Sequence, residues 1–220
     1  MIGVIVWKEL KESTRDRNLL SSIVGVAILL MLLNLSSRFP TVSVEFLVLY
    51  MAPCIGVFIG FSMSSRFVRE KREGTIETML CTPLTLKELW LGKVIGLALP
   101  SYAVTLTSML ILAYFKGHIM KEAITIYLTL AVPILIASVI GLLGFLYYVL
   151  GMRQIQALNY LVFLTLFTLF FALTRSLTRG VITITWEIIG AVLAFSAMIL
   201  YIVAYLITRL DKERIVTTLD

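Results

Sequence analysis

The sequence predicts an all-α membrane protein that crosses the bilayer several times, and two observations lead to this fold class. Apolar residues make up 60% of the 220 residues, whereas charged residues make up only 15%. The charged residues stand in short clusters between apolar runs that are long enough to cross a hydrocarbon core of about 30 Å as helices. Because a segment inside hydrocarbon must satisfy its own backbone hydrogen bonds, these runs are predicted to be helices rather than an open sheet.

Six apolar stretches are long enough to be transmembrane helices. We place them at Leu19–Leu35, Val44–Ser64, Lys93–Phe115, Ala123–Leu150, Ala157–Leu173 and Ile184–Ile207. The fourth stretch is longer than one span needs, so we expect it to be tilted, to extend beyond the bilayer, or to be broken near Pro133. The chain is predicted to form one transmembrane domain over 1–220. It is made of an interfacial helix (1–18), spans one and two (19–64), a loop (65–92), spans three to six (93–207) and a tail (208–220).

The first eighteen residues predict an amphipathic helix that lies at the membrane surface. Ile2, Val6 and Leu10 share one helical face, and Trp7 stands beside them as an interfacial anchor. No basic residue precedes Lys8, so the basic-then-apolar order of a signal peptide is absent. We therefore expect this segment to be part of the mature protein.

The distribution of Lys and Arg predicts the orientation of the chain. When the connections are assigned to alternate sides of six spans, fourteen of the 19 basic residues fall on the side of the two termini and of residues 66–93. The positive-inside rule therefore places both termini in the cytoplasm of a multi-pass protein of the plasma membrane. The net charge of +6 is explained by contact of these loops with anionic membrane lipid, and we expect no nucleic-acid partner.

The residues of the predicted spans bear on three classes of membrane-protein function. An ion-coupled transporter usually holds ionisable residues at membrane depth, and the six span interiors carry no clear one. An intramembrane enzyme needs nucleophiles, carboxylates or metal ligands at one depth, and one histidine with two cysteines offers neither a metal site nor a disulfide framework. The chain also lacks a G-x-x-x-x-G-K-[ST] loop, so any ATP hydrolysis would belong to a separate subunit. An ion-coupled or passive transporter or channel, with no ATPase partner, stays as the alternative.

The long loop between spans two and three carries signals for local structure. Five consecutive charged residues, 69–73, are predicted to extend span two into water. Gly74 is suited to end that helix in a left-handed conformation. Thr75 is suited to cap a short helix that runs as far as Leu80 and is terminated by Pro83.

The loop is predicted to end with the start of the third span's helix. Thr85 and Glu88 fit a capping box at that start. The loop would then consist of a helix end, a short crosswise helix and a helix start. The crosswise helix would present Ile76, Met79 and Leu80 as an apolar face, with Glu77 beside them.

This ordered set of residues resembles the pattern of the ABC-2 type permeases. The matching residues are Glu70, Arg72, Glu73, Gly74-Thr75-Ile76-Glu77, Thr82-Pro83 and Gly92-Lys93, with Lys8-Glu9-Leu10-Lys11 and Arg15-Asp16-Arg17 near the beginning of the chain. The resemblance covers the first half of the chain in its motifs and the second half mainly in span count and length. It departs from many family members between spans five and six, where residues 174–183 contain no proline.

The resemblance implies a non-catalytic permease subunit of an ATP-driven exporter. A separate cytosolic ABC ATPase would hold ATP and magnesium, and this chain would bind no cofactor or metal. The coupling helix that docks on the ATPase would consist of Gly74, Thr75, Ile76, Glu77, Met79 and Leu80. Support for the loop would come from Glu70, Arg72, Glu73, Pro83 and Lys93. Permeases of this family dimerise, so a second chain, identical or related, is expected, and the exported substrate stays open.

An aromatic stripe at helical spacing runs along the fifth span. Its members are Tyr160, Phe163, Phe167 and Phe170. Such a stripe either lines a pathway for an apolar or amphipathic substrate, or faces lipid, or packs between helices. Gly56-x-x-x-Gly60 and Gly92-x-x-x-Gly96 predict close helix approach, for which we favour packing within the chain over a dimer seam.

Overall fold

The chain is helical throughout the residues that the structure, a computed structural model, describes: 2–35, 44–75, 84–116, 121–176 and 185–210. No strand occurs in these ranges, and the predicted all-α class is confirmed. The helices are α1 (Ile2–Ser13), α2 (Arg17–Leu35), α3 (Val44–Arg72), α4 (Leu86–Phe115), α5 (Glu122–Ile126), a π-helical turn (Tyr127–Ala131), α6 (Val132–Val149), α7 (Met152–Ser176) and α8 (Trp186–Thr208).

Four helical segments within the described ranges are long and apolar enough to cross a membrane. They are Leu47–Arg72, Leu86–Phe115, Glu122–Val149 and Trp186–Thr208. The part of α2 from Arg17 to Met31 is a shorter apolar helix. These segments indicate a multi-pass membrane protein, while the count of six spans stays a prediction.

The centre of the bundle is formed by α3, α4 and α6, which pack against one another. Glycines allow this close approach, since a Cβ added to Gly60 would lie 3.0 Å from Cγ1 of Ile140. On the far side of α4, a Cβ at Gly96 would lie 2.6 Å from the Cβ of Glu9 in α1. Both predicted glycine pairs therefore serve packing within the chain, as we favoured. The remaining helices lie outside this centre, with α2 on α3 and α8 on α6.

The fourth apolar stretch changes its winding just before Pro133. The π-helical turn Tyr127–Ala131 connects α5 to α6 without a break in the chain direction. Proline has no N–H, and its ring displaces the carbonyl four residues earlier, at Thr129. A wider turn at this place accommodates that displacement. The hydroxyl of Tyr127, a residue of the turn, donates a hydrogen bond to the Leu49 carbonyl at 2.9 Å.

The predicted N-terminal helix is present as α1, which packs along α4. Ile2 and Val6 are half-buried, as an amphipathic helix requires, and Trp7 is 69% exposed. The side chain of Glu9 is buried. The position of α1 in the plane of a membrane surface stays a prediction.

Candidate functional site

The last turns of α3 bury two of the five charged residues that were predicted to face water. Arg69, Arg72 and Glu73 are exposed, but Glu70 is buried and Lys71 is only 2% exposed. The prediction was wrong for Glu70 and Lys71, because neighbouring helices supply polar partners for both. A charge pattern on one helix does not show which groups another helix brings to it.

Five buried residues form a charge cluster where α1, α3 and α4 meet. The members of this charge cluster are Glu9, Asp16, Arg66, Glu70 and Lys93. The ammonium group of Lys93 pairs with the carboxylate of Glu70 and lies 3.5 Å from Oε1 of Glu9. Arg66 places Nη1 3.4 Å from Oε2 of Glu9 and Nε 2.7 Å from Oδ2 of Asp16. Ion pairs thus connect α3 to α4, to α1 and to the turn between α1 and α2.

Pairing compensates for the burial of these charges. Removing a charged group from water is costly unless opposite charges and hydrogen bonds replace the lost hydration. The ring of Phe67 adds a further contact, since its centroid lies 5.4 Å from Nζ of Lys93. Phe67 also meets Tyr148 of α6 edge to face, with the ring centroids 5.5 Å apart. Loss of any one member of the charge cluster would therefore leave a buried charge with fewer partners.

Asp16 gives the charge cluster a testable pH dependence. Burial raises the pKa of its carboxyl, but hydrogen bonds from Arg66 and from the backbone N–H of Asn18 outweigh this and hold the pKa below the ordinary value of 3.8. Because the folded-state pKa is lowered, the stabilisation is complete above pH 3.8 and is lost as the pH falls through the lowered value. We expect Asp16→Asn to be less stable than wild type at neutral pH, and the difference to shrink on acidification. Thermal unfolding in detergent at a series of pH values measures both, and a difference independent of pH would contradict the assignment.

Lys71 lies on the other side of α3 and contacts the end of α6. Its ammonium group donates to the carbonyl oxygens of Leu150 at 2.7 Å, Tyr147 at 3.3 Å and Tyr148 at 3.4 Å. The last carbonyls of a helix lack partners within the helix and carry partial negative charge, so a buried cation is stabilising there. The end of α3 is therefore held on two sides, by the charge cluster and by the end of α6.

The helix end and the helix start on either side of the connection between α3 and α4 agree with the predictions. Gly74 has a φ of +69°, the left-handed conformation predicted to end the helix. The hydroxyl of Thr75 donates to the Glu70 carbonyl at 3.2 Å. At the other edge, the N–H of Glu88 donates to the Thr85 hydroxyl at 3.2 Å and the N–H of Thr85 donates to the Glu88 carboxylate at 3.1 Å. The predicted capping box is thus confirmed.

The central part of the predicted coupling helix is not among the described residues. Ile76, Glu77, Met79 and Leu80, and the supporting Pro83, all lie within 76–83, outside the described ranges. Of the residues predicted to support the loop, Glu70 and Lys93 form an ion pair with each other.

Arg66 was not among the predicted site residues, although the sequence carries a signal for its burial. Ile59, Met63, Arg66 and Glu70 fall on one face of α3, at steps of four, three and four residues. Charged residues that continue a buried apolar stripe in this way must find partners inside the protein. Trp90 was also missed: it is fully buried, and its Nε1 donates to the Gly141 carbonyl of α6 at 3.1 Å.

The described side chains of the aromatic stripe on α7 are exposed, and two of them face a groove. Phe163 and Phe167 line a groove of about 360 Å³ together with residues of α2 and α3 that include Val26, Cys54 and Phe58. All its lining residues are uncharged. Tyr160 is 78% exposed and is not one of these residues, and the side chain of Phe170 lies outside the described part of the chain. The hydroxyls of Thr165 and Thr168 bond back to carbonyls of their own helix.

The described residues form an all-helical bundle, and its long apolar helices indicate a multi-pass membrane protein. Comparisons with protein-family models, with curated proteins and with solved structures give no match to this chain. Among the described residues there is no group of three or more His, Cys, Asp or Glu side chains that could hold a metal ion. The features of this chain that bear on its function are therefore the motifs of its sequence and the geometry at the end of α3.

Proposed function

We propose that the chain is the membrane-spanning permease subunit of an ATP-driven ABC exporter of the ABC-2 type. A separate cytosolic ABC ATPase binds ATP and magnesium and docks on the connection between α3 and α4. The chain has six spans with both termini in the cytoplasm, lies in the plasma membrane, and pairs with a second permease chain, identical or related. It carries no catalytic residue of its own.

The observation that supports this proposal most is the way in which the connection between α3 and α4 is anchored. A docking element transmits force only if the helices on which it stands move with it. Here α3 is held by the charge cluster on one side and by the contacts of Lys71 on the other. The connection leaves α3 at Gly74 and enters α4 through the capping box of Thr85. The motif that resembles the coupling helix of ABC-2 permeases lies between these two anchored ends.

The aromatic groove supports a transport pathway as part of the same proposal. Phe163 and Phe167 face α2 and α3 across an apolar groove, and α3 is long and apolar enough to cross a membrane. We propose that an apolar or amphipathic substrate passes along this face.

The charge cluster favours a second candidate, an ion-coupled transporter. Buried ionisable residues in membrane helices mark proton and ion pathways in many transporters. The Glu70–Lys93 pair is such a feature. The sequence alone had placed no clear ionisable residue inside a predicted span. All five members of the charge cluster, however, take part in ion pairs at the end of the bundle where α3 and α4 are connected. We therefore assign the cluster an anchoring role and keep ATP-driven export as the leading proposal.

Copurification with the candidate ATPase tests the proposal. The full chain and the Glu77→Arg variant are each coexpressed with an ABC ATPase from a neighbouring gene, and each is purified in mild detergent. We expect wild type to retain the ATPase and Glu77→Arg to lose it, because the reversed charge opposes docking. Glu122 is an exposed acidic residue at the start of α5. The matched control is therefore Glu122→Arg, which should retain the ATPase.

Two results would count against the proposal. Failure of the intact chain to retain any ATPase under conditions that preserve such complexes would favour the ion-coupled or passive alternative. Equal retention by wild type, Glu77→Arg and Glu122→Arg would remove the 74–80 segment from the docking surface. Inserted, folded protein is verified for each variant by its elution as a single species in detergent.

A further inference from the structure

The corner between α6 and α7 is built around the ammonium group of Lys71. Leu150, whose carbonyl accepts the 2.7 Å hydrogen bond from Lys71, is the residue that follows the last residue of α6. Gly151 comes next, and α7 begins at Met152. The N–H of Gly151 donates to the side-chain oxygen of Gln154 at 3.2 Å, which starts the first turn of α7. Lys71 therefore holds the point at which the chain turns from α6 into α7.

A second polar contact connects the same end of α6 to α7. Tyr147, whose carbonyl faces Lys71, donates its hydroxyl hydrogen to the side-chain oxygen of Asn159 at 2.8 Å. Asn159 lies two turns into α7, so the bond fixes the direction of the helix as well as its start. The last turn of α6 thus accepts hydrogen bonds from Lys71 with its carbonyls and donates one to α7 with the Tyr147 side chain.

Beyond this corner, the described side chains of α7 have few buried contacts. Ile155 is the single buried side chain among residues 152–168, the part of α7 whose side chains are described. Farther along that part, Phe163 and Phe167 are exposed and line the groove. Within its described part, α7 is thus attached mainly at its start, so a movement of that attachment would swing this part of the helix.

We propose that Lys71 is a positioning residue that fixes α7 to the end of α3, so that a displacement of that end changes the width of the groove lined by Phe163 and Phe167. This inference deepens the proposed function, since it takes the driving displacement from an ATPase docked beyond Gly74. The link between Lys71 and α7 itself needs no ATPase. The two ideas can therefore fail separately.

The separation of α7 from α2 tests the link directly. Spin labels are placed at Leu164 of α7 and Ile28 of α2, both exposed, in the full chain with Cys54 and Cys81 replaced by Ala and reconstituted in lipid nanodiscs. Pulsed EPR then measures the distribution of label distances. We expect Lys71→Met to broaden the distribution or to shift it by more than its wild-type width. Lys71→Arg, which keeps donors for the same carbonyls, should largely restore it.

Two controls separate positioning from general loss of structure. Labels at Leu99 of α4 and Met198 of α8 should show the same distribution in wild type and Lys71→Met. Lys87→Met, which removes an exposed charge near the start of α4, should leave the α7–α2 distribution unchanged. If Lys71→Met does not fold, Asn159→Leu tests the same link without removing a buried charge, and it should broaden the α7–α2 distribution.

The inference would be overturned if Lys71→Met gave the same α7–α2 distribution as wild type. If Lys71→Met does not fold, the same result in Asn159→Leu would overturn it. A change of equal size in the control distribution between α4 and α8 would overturn it as well. With the ATPase and a non-hydrolysable ATP analogue added, wild type should show a shifted α7–α2 distance, and Lys71→Met should not. If this shift also occurred in Lys71→Met, the inference would be overturned. If no ATPase bound, the proposed function would be contradicted, and the distances measured without the ATPase would test the link.

Discussion

Lys93→Met is expected to lower the free energy of unfolding by about 3–5 kcal/mol, the cost of removing one partner from a buried ion pair. Lys93 is 2% exposed and pairs with the carboxylates of both Glu70 and Glu9. Methionine keeps much of the length of the side chain but leaves the Glu70 carboxylate buried without its cation. Reversible denaturation in mixed micelles, followed by circular dichroism, measures the change.

A double-mutant cycle identifies the origin of that loss. Glu70→Gln removes the opposite charge, so Lys93→Met combined with Glu70→Gln should be more stable than Lys93→Met alone. Lys87→Met, at an exposed position of the same helix, should change stability by no more than about 0.5 kcal/mol. If Lys93→Met proved as stable as Lys87→Met, the charge cluster would not anchor α3 to α4.

Trp90→Ala is expected to cost about 3 kcal/mol, because it opens a cavity between α4 and α6. The side chain is fully buried, and its ring lies so close to Gly141 that a Cβ there would be 2.8 Å from Cζ2. Trp90→Phe keeps most of the volume and loses the hydrogen bond to the Gly141 carbonyl, so its cost should be about 1 kcal/mol. The same denaturation assay measures both variants.

The control for Trp90 is Trp186→Ala. Trp186 is 61% exposed at the start of α8, so its truncation should change stability far less than that of Trp90. Equal losses at the two positions would mean that the assay reports transfer of the indole out of the micelle rather than packing between α4 and α6.

Features that depend on local sequence could be predicted. Apolar length alone indicated where the helices lie, and each of the six predicted stretches falls largely within helical structure in its described part. The left-handed Gly74 and the capping box of Thr85 and Glu88 were also predicted, because each depends on a few neighbouring residues. The number of spans that cross the membrane stays a prediction.

Features that depend on two helices meeting could not be predicted from one sequence. Glu70 was placed in water because its neighbours are charged, and only the position of Lys93 on α4 shows why it is buried. Lys71 finds its partners in backbone carbonyls, which have no signature in the sequence. The groove beside Phe163 likewise results from the packing of three helices. The docking role of the 74–80 segment stays a prediction of the resemblance.

The wide turn between α5 and α6 has a consequence for the numbering of this chain against any relative. A π-helical turn holds about one residue more than an α-helical turn, because its hydrogen bonds join residues five apart rather than four. A relative that is one residue shorter between Ile126 and Val132 would therefore close this turn as α-helix and keep the same faces of α5 and α6 towards α3. The Lys121–Glu45 pair, with its ammonium-to-carboxylate distance of 2.5 Å, would then be compatible with the gap. A one-residue gap placed within α6 instead would turn one part of that helix by roughly 100° against the other and separate the faces that now pack on α3.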